Sequence, residues 1–264
     1  MSKRLVFARL LNAGLLSAGL LSAGLAASGT AAAVEINVYT AGAVHEAERA
    51  LATDFTHMTG NKVAFVVGTV GQIQEKLKSG AAADVIVVSR AALEQLEKAG
   101  EVRASSAVAI GRIGIGVGIK EGAGPADIST PEKFKETMLK AKSVTYMDPA
   151  EGASSGIATA KIMKDLGIAD EMAKKTKLTK SGYSADRVAS GEVEIAIQNV
   201  SEIVPVKGVK LAGMLPEGLQ VYTAYAAGVA TKSLAPKEAT DFIRFLKRAE
   251  AADRWKEAGI EPAQ

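Results

Sequence analysis

The sequence predicts an α/β protein of two lobes with a cleft between them. Three observations lead there. Short β-rich runs alternate with segments of helical spacing, the order expected of strand-helix-strand units. Val85 to Val88 is continuously apolar, as in a strand buried on both faces of a parallel sheet. Two long extended stretches, Ala107 to Ile119 and Val221 to Thr231, are placed to carry the chain from one such unit to a second and back.

Each element has its own signal. Ile36 to Thr40 (INVYT) is β-rich, and Val44, Ala47, Leu51 and Phe55 fall at helical spacing within Val44 to Met58. Gly60-Asn61 breaks the chain before a second strand, Lys62 to Val67. Gly68-Thr69-Val70-Gly71 reads as a turn, and Gln72 to Ser79 as a helix ended by Gly80. With the strand at Val85 to Val88 this completes a β-α-β-α-β unit. Ala107 to Ile119 (AVAIGRIGIGVGI) alternates apolar residues with Gly, too extended in character for a helix and free to bend. After a turn at Gly122 to Pro125, Pro131 opens a helix to Lys140 with Thr130 as its N-cap. A strand at Val144 to Met147, helices at Ser155 to Leu166 and Ala185 to Ser190, and a strand at Glu194 to Gln198 form the second unit. Val221 to Thr231 returns the chain, and a helix from Pro236 to Glu250 sets Ala239, Phe242, Ile243 and Leu246 on one face. The expected organisation is a leader over residues 1–33, a first lobe from 34–113 with 223–264, and a second lobe over 114–222.

The leader reads as a cleaved export signal. Lys3, Arg4 and Arg9 make a basic start, Leu10 to Leu25 is apolar apart from Asn12 and scattered Ser and Gly, and Ala31-Ala32-Ala33 offers a small-residue cleavage site. Its core is short and no charge cluster follows, against a membrane anchor, so the expected location is the periplasm. Those three basic residues account for the whole excess of 32 Lys and Arg over 29 Asp and Glu. The remainder is neutral, without a Lys/Arg stripe, which leaves a nucleic-acid partner little electrostatic footing. The absence of cysteine excludes a disulfide framework and a thiol nucleophile. With only His45 and His57, a histidine-rich metal site is excluded, and neither metal nor cofactor is expected.

Two α/β lobes joined by extended crossovers place a ligand where the loops after the strand ends meet. The blocks INVYTAGAVHEA, GTVGQIQEKLKSGAAADVIVVS, DPAEGASSGIATAKIM and AATDFIRFLKRAEAADRWKEAGI are similar to those of the periplasmic molybdate-binding proteins of ABC importers and their solute-binding relatives. The resemblance runs over nearly all of the chain after the leader. It implies the type II periplasmic binding protein fold, a small anionic ligand, an ABC transporter permease as partner, and a monomer. In that family the oxyanion is held by backbone N–H groups and hydroxyls at helix starts, where the N–H groups are unpaired and the helix dipole favours an anion. By position, the resemblance assigns Ala43, Thr69 with Val70, Ser155, Ala185 and Asn199 to the ligand. A serine is usual in the family where this chain has Ala43, a serine-rich turn where it has Gly68 to Gly71, and a tyrosine where it has Asn199. Those departures favour an organic carboxylate over a molybdate-like oxyanion, and both stay open.

Further candidates come from the residues themselves. Ser154 and Ser155 set two hydroxyls at an expected helix start, suited to a carboxylate or phosphate or, more plainly, to capping. Arg90, just past a strand end, has the geometry for a bidentate carboxylate pair, against a solvated surface position. His45 and Glu46 lie beyond Ala43 at the expected rim, as proton carriers or as ordinary residues of a first helix. Some solute-binding relatives resemble aconitate isomerase, which interconverts cis- and trans-aconitate by a cofactor-free 1,3-proton shift. Two functions are therefore in play: a receptor that closes on a small anion for ABC-type uptake, and an isomerase with His45 and Glu46 as catalytic residues. A partner-binding domain with a relic cleft is the third. Ser154-Ser155-Gly156 is not G-x-S-x-G, and Gly111 to Gly118 lacks the Gly-Lys-Ser/Thr end of a P-loop.

Overall fold

A computed structural model describes residues 33–263. The leader expected over residues 1–33 lies outside them but for Ala33. β1 (Glu35–Ala41) turns Ile36 and Val38 fully inward and runs straight into α1 (Gly42–Thr59), which ends where Gly60 takes φ 77° and its N–H reaches the Thr56 carbonyl. β2 (Lys62–Gly68) pairs parallel with β1. α2 (Val70–Lys78) opens on a capping box: the Thr69 hydroxyl accepts from the Gln72 N–H at 3.1 Å, and the Gln72 side-chain carbonyl accepts from the Thr69 N–H at 3.1 Å. The expected turn at Gly68 to Gly71 is thus half helix. β3 (Val85–Ser89) pairs parallel with the other edge of β1, fully buried as its apolar run predicts. α3 (Arg90–Lys98) follows at once, capped by Ser89; it is not among the expected elements, although Ala92, Leu93 and Leu96 share its buried face.

β4 (Val108–Lys120) is the long glycine-rich strand, and it changes partners midway. Up to Gly114 it pairs antiparallel with β8 (Tyr222–Val229), and from Ile115 with β6 (Ile195–Asn199). At the change, the Gln220 side chain accepts from the Ile115 N–H at 2.8 Å and donates to the Ile115 carbonyl at 2.9 Å. Between them come α4 (Pro131–Lys140), with the predicted Thr130 cap and Pro131 start, β5 (Val144–Tyr146), α5 (Ser154–Asp165), α6 (Ala169–Ala173) and α7 (Ala185–Ala189). β7 (Val209–Met214) follows β6, then β8, α8 (Pro236–Leu246), α9 (Ala251–Glu257) and β9 (Glu261–Pro262). The strand order is β2-β1-β3-β8-β4-β6-β5, with β7 and β9 also on β4.

Two regions of buried core result. One gathers buried residues from Ile36 to Ile113 and from Tyr225 to Ile260; the other, between Ile115 and Leu215, holds two clusters, the smaller built on Ala185, Val188, Ala196 and Ile203. In the first, Phe55 of α1 meets Phe242 and Phe245 of α8 edge-on, at 5.2 and 5.5 Å between ring centres. The helix expected from Pro236 to Glu250 stops at Leu246 and resumes at Ala251. The break lets α9 bury Trp255, whose indole N–H donates to the Leu246 carbonyl freed by the stop, at 3.0 Å. Among the described residues no helix is long and apolar enough to cross a membrane.

Candidate functional site

Three helices begin on the walls of one cavity of about 270 Å³. α1 contributes Ala41, Gly42 and Ala43; α2 contributes Thr69, Val70 and Gln72; α5 contributes Ala153, Ser154 and Ser155. The first two belong to the lobe built on β1, the third to the lobe built on β6. α2 is closed by its own capping box, whereas α1 and α5 have no side-chain cap, so their leading N–H groups are offered to the cavity. Two buried polar atoms there have no partner among the described residues: the Ser155 hydroxyl and the Asn199 side-chain carbonyl oxygen. Each such atom costs about 1–3 kcal/mol if left unsatisfied, which a ligand with matching groups offsets.

The lobes touch along one edge of this cavity. The Thr69 hydroxyl donates to the Glu151 carbonyl, the Gly71 N–H to the Gly152 carbonyl at 3.3 Å, and the Gln72 amide to the Glu151 carboxylate at 2.9 Å. Gly71 has to be glycine for this approach, because a Cβ there would stand 2.7 Å from the Glu151 carbonyl oxygen. Deeper in, the hydroxyls of Ser154 and Tyr225 lie 3.1 Å apart.

Among the described residues no lysine, arginine or histidine lines the cavity, so these meet an anion there with helix dipoles and hydrogen bonds. One acid does line it. Glu202, at the end of the 3-10 turn Val200–Glu202 after β6, is buried and accepts from the Asn199 amide at 2.9 Å. Burial pushes its carboxyl up to about 7, against the smaller opposing effect of the amides of Asn199 and Gln198. Burial, followed by the nearby Glu202 carboxyl, holds the Tyr183 and Tyr225 phenols above their ordinary range.

Of the residues singled out by sequence, the structure brings Ala43, Thr69, Val70, Ser154, Ser155 and Asn199 together on the cavity walls. The others lie elsewhere. Ala185 is buried at the start of α7, its N–H donating to the Gln198 side chain at 3.3 Å. Arg90 is exposed in the first turn of α3 and pairs with Glu94 at 2.8 Å. His45 turns toward β2 and packs edge-on against Phe65 at 4.9 Å, and burial lowers its pKa and keeps the ring neutral. Glu46 is not among the lining residues and pairs with Arg49 at 2.8 Å. Glu202, Tyr183, Tyr225 and Gln72 line the cavity without having been singled out. For Glu202 a signal existed: it is the lone acid in the otherwise uncharged run from Ile195 to Val204, beginning in a buried strand.

Residues 36–261 match the family described as bacterial extracellular solute-binding protein. The chain is 29% identical over 233 residues to an aconitate isomerase from a Pseudomonas species, covering 86% of this chain and 87% of that one. The periplasmic molybdate-binding protein of Azotobacter vinelandii superposes with a TM-score of 0.72 at 19% identity, covering 87% of this chain and all of the other, 100%. The sulfate-binding protein of Mycobacterium tuberculosis does so with a TM-score of 0.68 at 18% identity, covering 88% of each chain. Those likenesses agree with the two cores and the partner change of β4 in giving a two-lobe type II periplasmic binding fold. By a match that takes in both lobes and both crossovers, the chain belongs to the bacterial extracellular solute-binding protein family.

Proposed function

We propose that this protein works in the periplasm, closes its lobes, 34–113 with 223–264 and 114–222, on a small unsaturated polycarboxylate, and interconverts its isomers as aconitate isomerase does. The observation that carries the proposal is the pair of uncapped helix starts, α1 from one lobe and α5 from the other, facing one cavity that also holds the unpartnered Ser155 hydroxyl. Opposed N-termini suit a ligand with an anionic group at each end. The aconitate isomerase relative supports the same choice. Ala43 and Val70 would offer backbone N–H groups, Ser154 and Ser155 hydroxyls, and Asn199 its amide, while the Thr69 hydroxyl is already engaged with Glu151 and Gln72. The 1,3-proton shift then needs only a proton carrier within reach of the bound carbons.

A second reading has support from the family itself: a receptor that delivers the same ligand to an ABC transporter permease without changing it. Proton NMR of the protein with cis- and trans-aconitate in separate tubes decides between the two. Growth of the opposite isomer's vinyl signal is the expected result. Unchanged spectra together with a thermal shift would establish the receptor, while unchanged spectra without one would sink the ligand class as well.

A further inference from the structure

We propose that Glu202 is the proton carrier of this cavity, taking a proton from one carbon of the bound polycarboxylate and returning it two carbons along. The proposal rests on the isomerase reading and deepens it by naming the group that does the chemistry. Glu202 is buried yet lines the cavity, and it reaches across to the first residue of α1: a Cβ placed on Gly42 would stand 3.3 Å from one of its carboxyl oxygens. Its other oxygen is fixed by the Asn199 amide at 2.9 Å. The carboxyl is thus held against an uncapped helix start, where a ligand carboxylate would dock, with the second uncapped start across the cavity at Ser154 and Ser155. A purely structural acid in an anion site is a liability, because ionised it repels the ligand. A proton carrier has to be there.

The groups around Glu202 narrow the choice further. Those that titrate are the Tyr183 and Tyr225 phenols, with the Glu46–Arg49 pair and Asp186 beyond Tyr183, and His45 is turned away on β2. Both phenols are held protonated, as donors, whereas Glu202 with its pKa of about 7 both gives and takes a proton near neutrality. The step balances on one carrier. The ionised carboxyl removes a proton from the ligand methylene; the C–H bond breaks, an O–H bond forms on Glu202, and the electron pair spreads over three carbons and the adjoining carboxylates. The Glu202 O–H then breaks as its proton goes to the former vinyl carbon, leaving the double bond shifted by one position and the carboxylate restored. No oxidant, metal or co-reactant enters.

The test compares wild type, Glu202→Gln and Glu202→Asp as the full chain after the leader. Glu202→Gln is expected to keep a thermal shift with trans-aconitate while losing at least a hundredfold in isomerisation and in exchange of the ligand methylene with D2O, in line with general acid-base contributions of about 10²–10⁴. Glu202→Asp is expected to retain partial turnover, which keeps the test valid if the glutamine variant fails to fold. Wild-type kcat/KM should rise with pH through the ionisation of Glu202, and the Asp variant should move that inflection. Turnover of Glu202→Gln within threefold of wild type would overturn the assignment and leave the isomerase standing. A wild type that neither isomerises nor exchanges would overturn both.

Discussion

Glu48 is a second buried carboxyl, and unlike Glu202 it does not line the cavity. It sits on the inner face of α1, one oxygen bonded by the Thr40 hydroxyl and the other without a partner. Burial pushes it up to about 8 despite that bond. In the unfolded chain it titrates near its ordinary value, so between roughly pH 4.5 and 8 the folded state holds the extra proton and stability falls as pH rises. The stabilisation is fully present below that window and lost by its upper end. At about 1.4 kcal/mol per pH unit the total is several kcal/mol. Thermal melts from pH 5 to 8 should show the midpoint falling for wild type and a clearly flatter line for Glu48→Gln; parallel lines would refute the account. Glu48 was not singled out from the sequence, although it lies four residues after Val44 and next to Ala47, on the face that the helical spacing of Val44, Ala47, Leu51 and Phe55 turns inward. What no local pattern carried was that Ala43 and His45, two residues apart on one helix, would part, one to the cavity and the other onto Phe65. That depends on how α1 is rotated against β2, which tertiary packing fixes.

At the scale of elements, the glycine contact between α2 and the 3-10 turn Pro149–Glu151 with Gly152 sets how closely the lobes meet. Gly71→Ala pulls in two directions. Alanine in the first turn of α2 raises helix propensity by up to about 1 kcal/mol, yet its methyl would press on the Glu151 carbonyl and the Gly152 Cα, 2.7 and 2.9 Å from the Cβ position. The expected outcome is a melting temperature without ligand within a few degrees of wild type, with trans-aconitate affinity at least tenfold weaker by calorimetry. Undiminished affinity would mean that this edge is not part of the closed state. The elements themselves were largely legible where one strong signal dominated: α4 falls on its predicted bounds because Thr130 and Pro131 fix the start, and β3 because its run is wholly apolar. β7 was missed because its residues are only partly buried and carry no clear alternation. The start of α2 was placed two residues late because Gly71 reads as a turn until its packing partner is known.

Across the whole molecule, β4 joins the cores and changes partners at one level, passing from β8 to β6 between Gly114 and Ile115, opposite Tyr222 at the start of β8. Neighbouring atoms pack directly against the glycines there, a Cβ on Gly114 running into the Met214 side chain, so what eases bending at that level is the backbone freedom of glycine and not any gap. The crossovers were readable from sequence by length and glycine content, but the meeting of Gly42, Ser155 and Glu202 was not, because it exists only when the two lobes come together. A ligand bound by both lobes favours the form in which they touch. Small-angle scattering should therefore show a radius of gyration near the roughly 17 Å expected of a compact chain of this size when trans-aconitate is saturating, and a larger value without it. Gly71→Ala should stay at the larger value at ligand concentrations that compact the wild type. If saturating ligand leaves the wild-type curve unchanged while thermal shift reports binding, the lobes do not move, and the Thr69 and Gly71 contacts with Glu151 and Gly152 are a permanent clasp that a ligand must enter past.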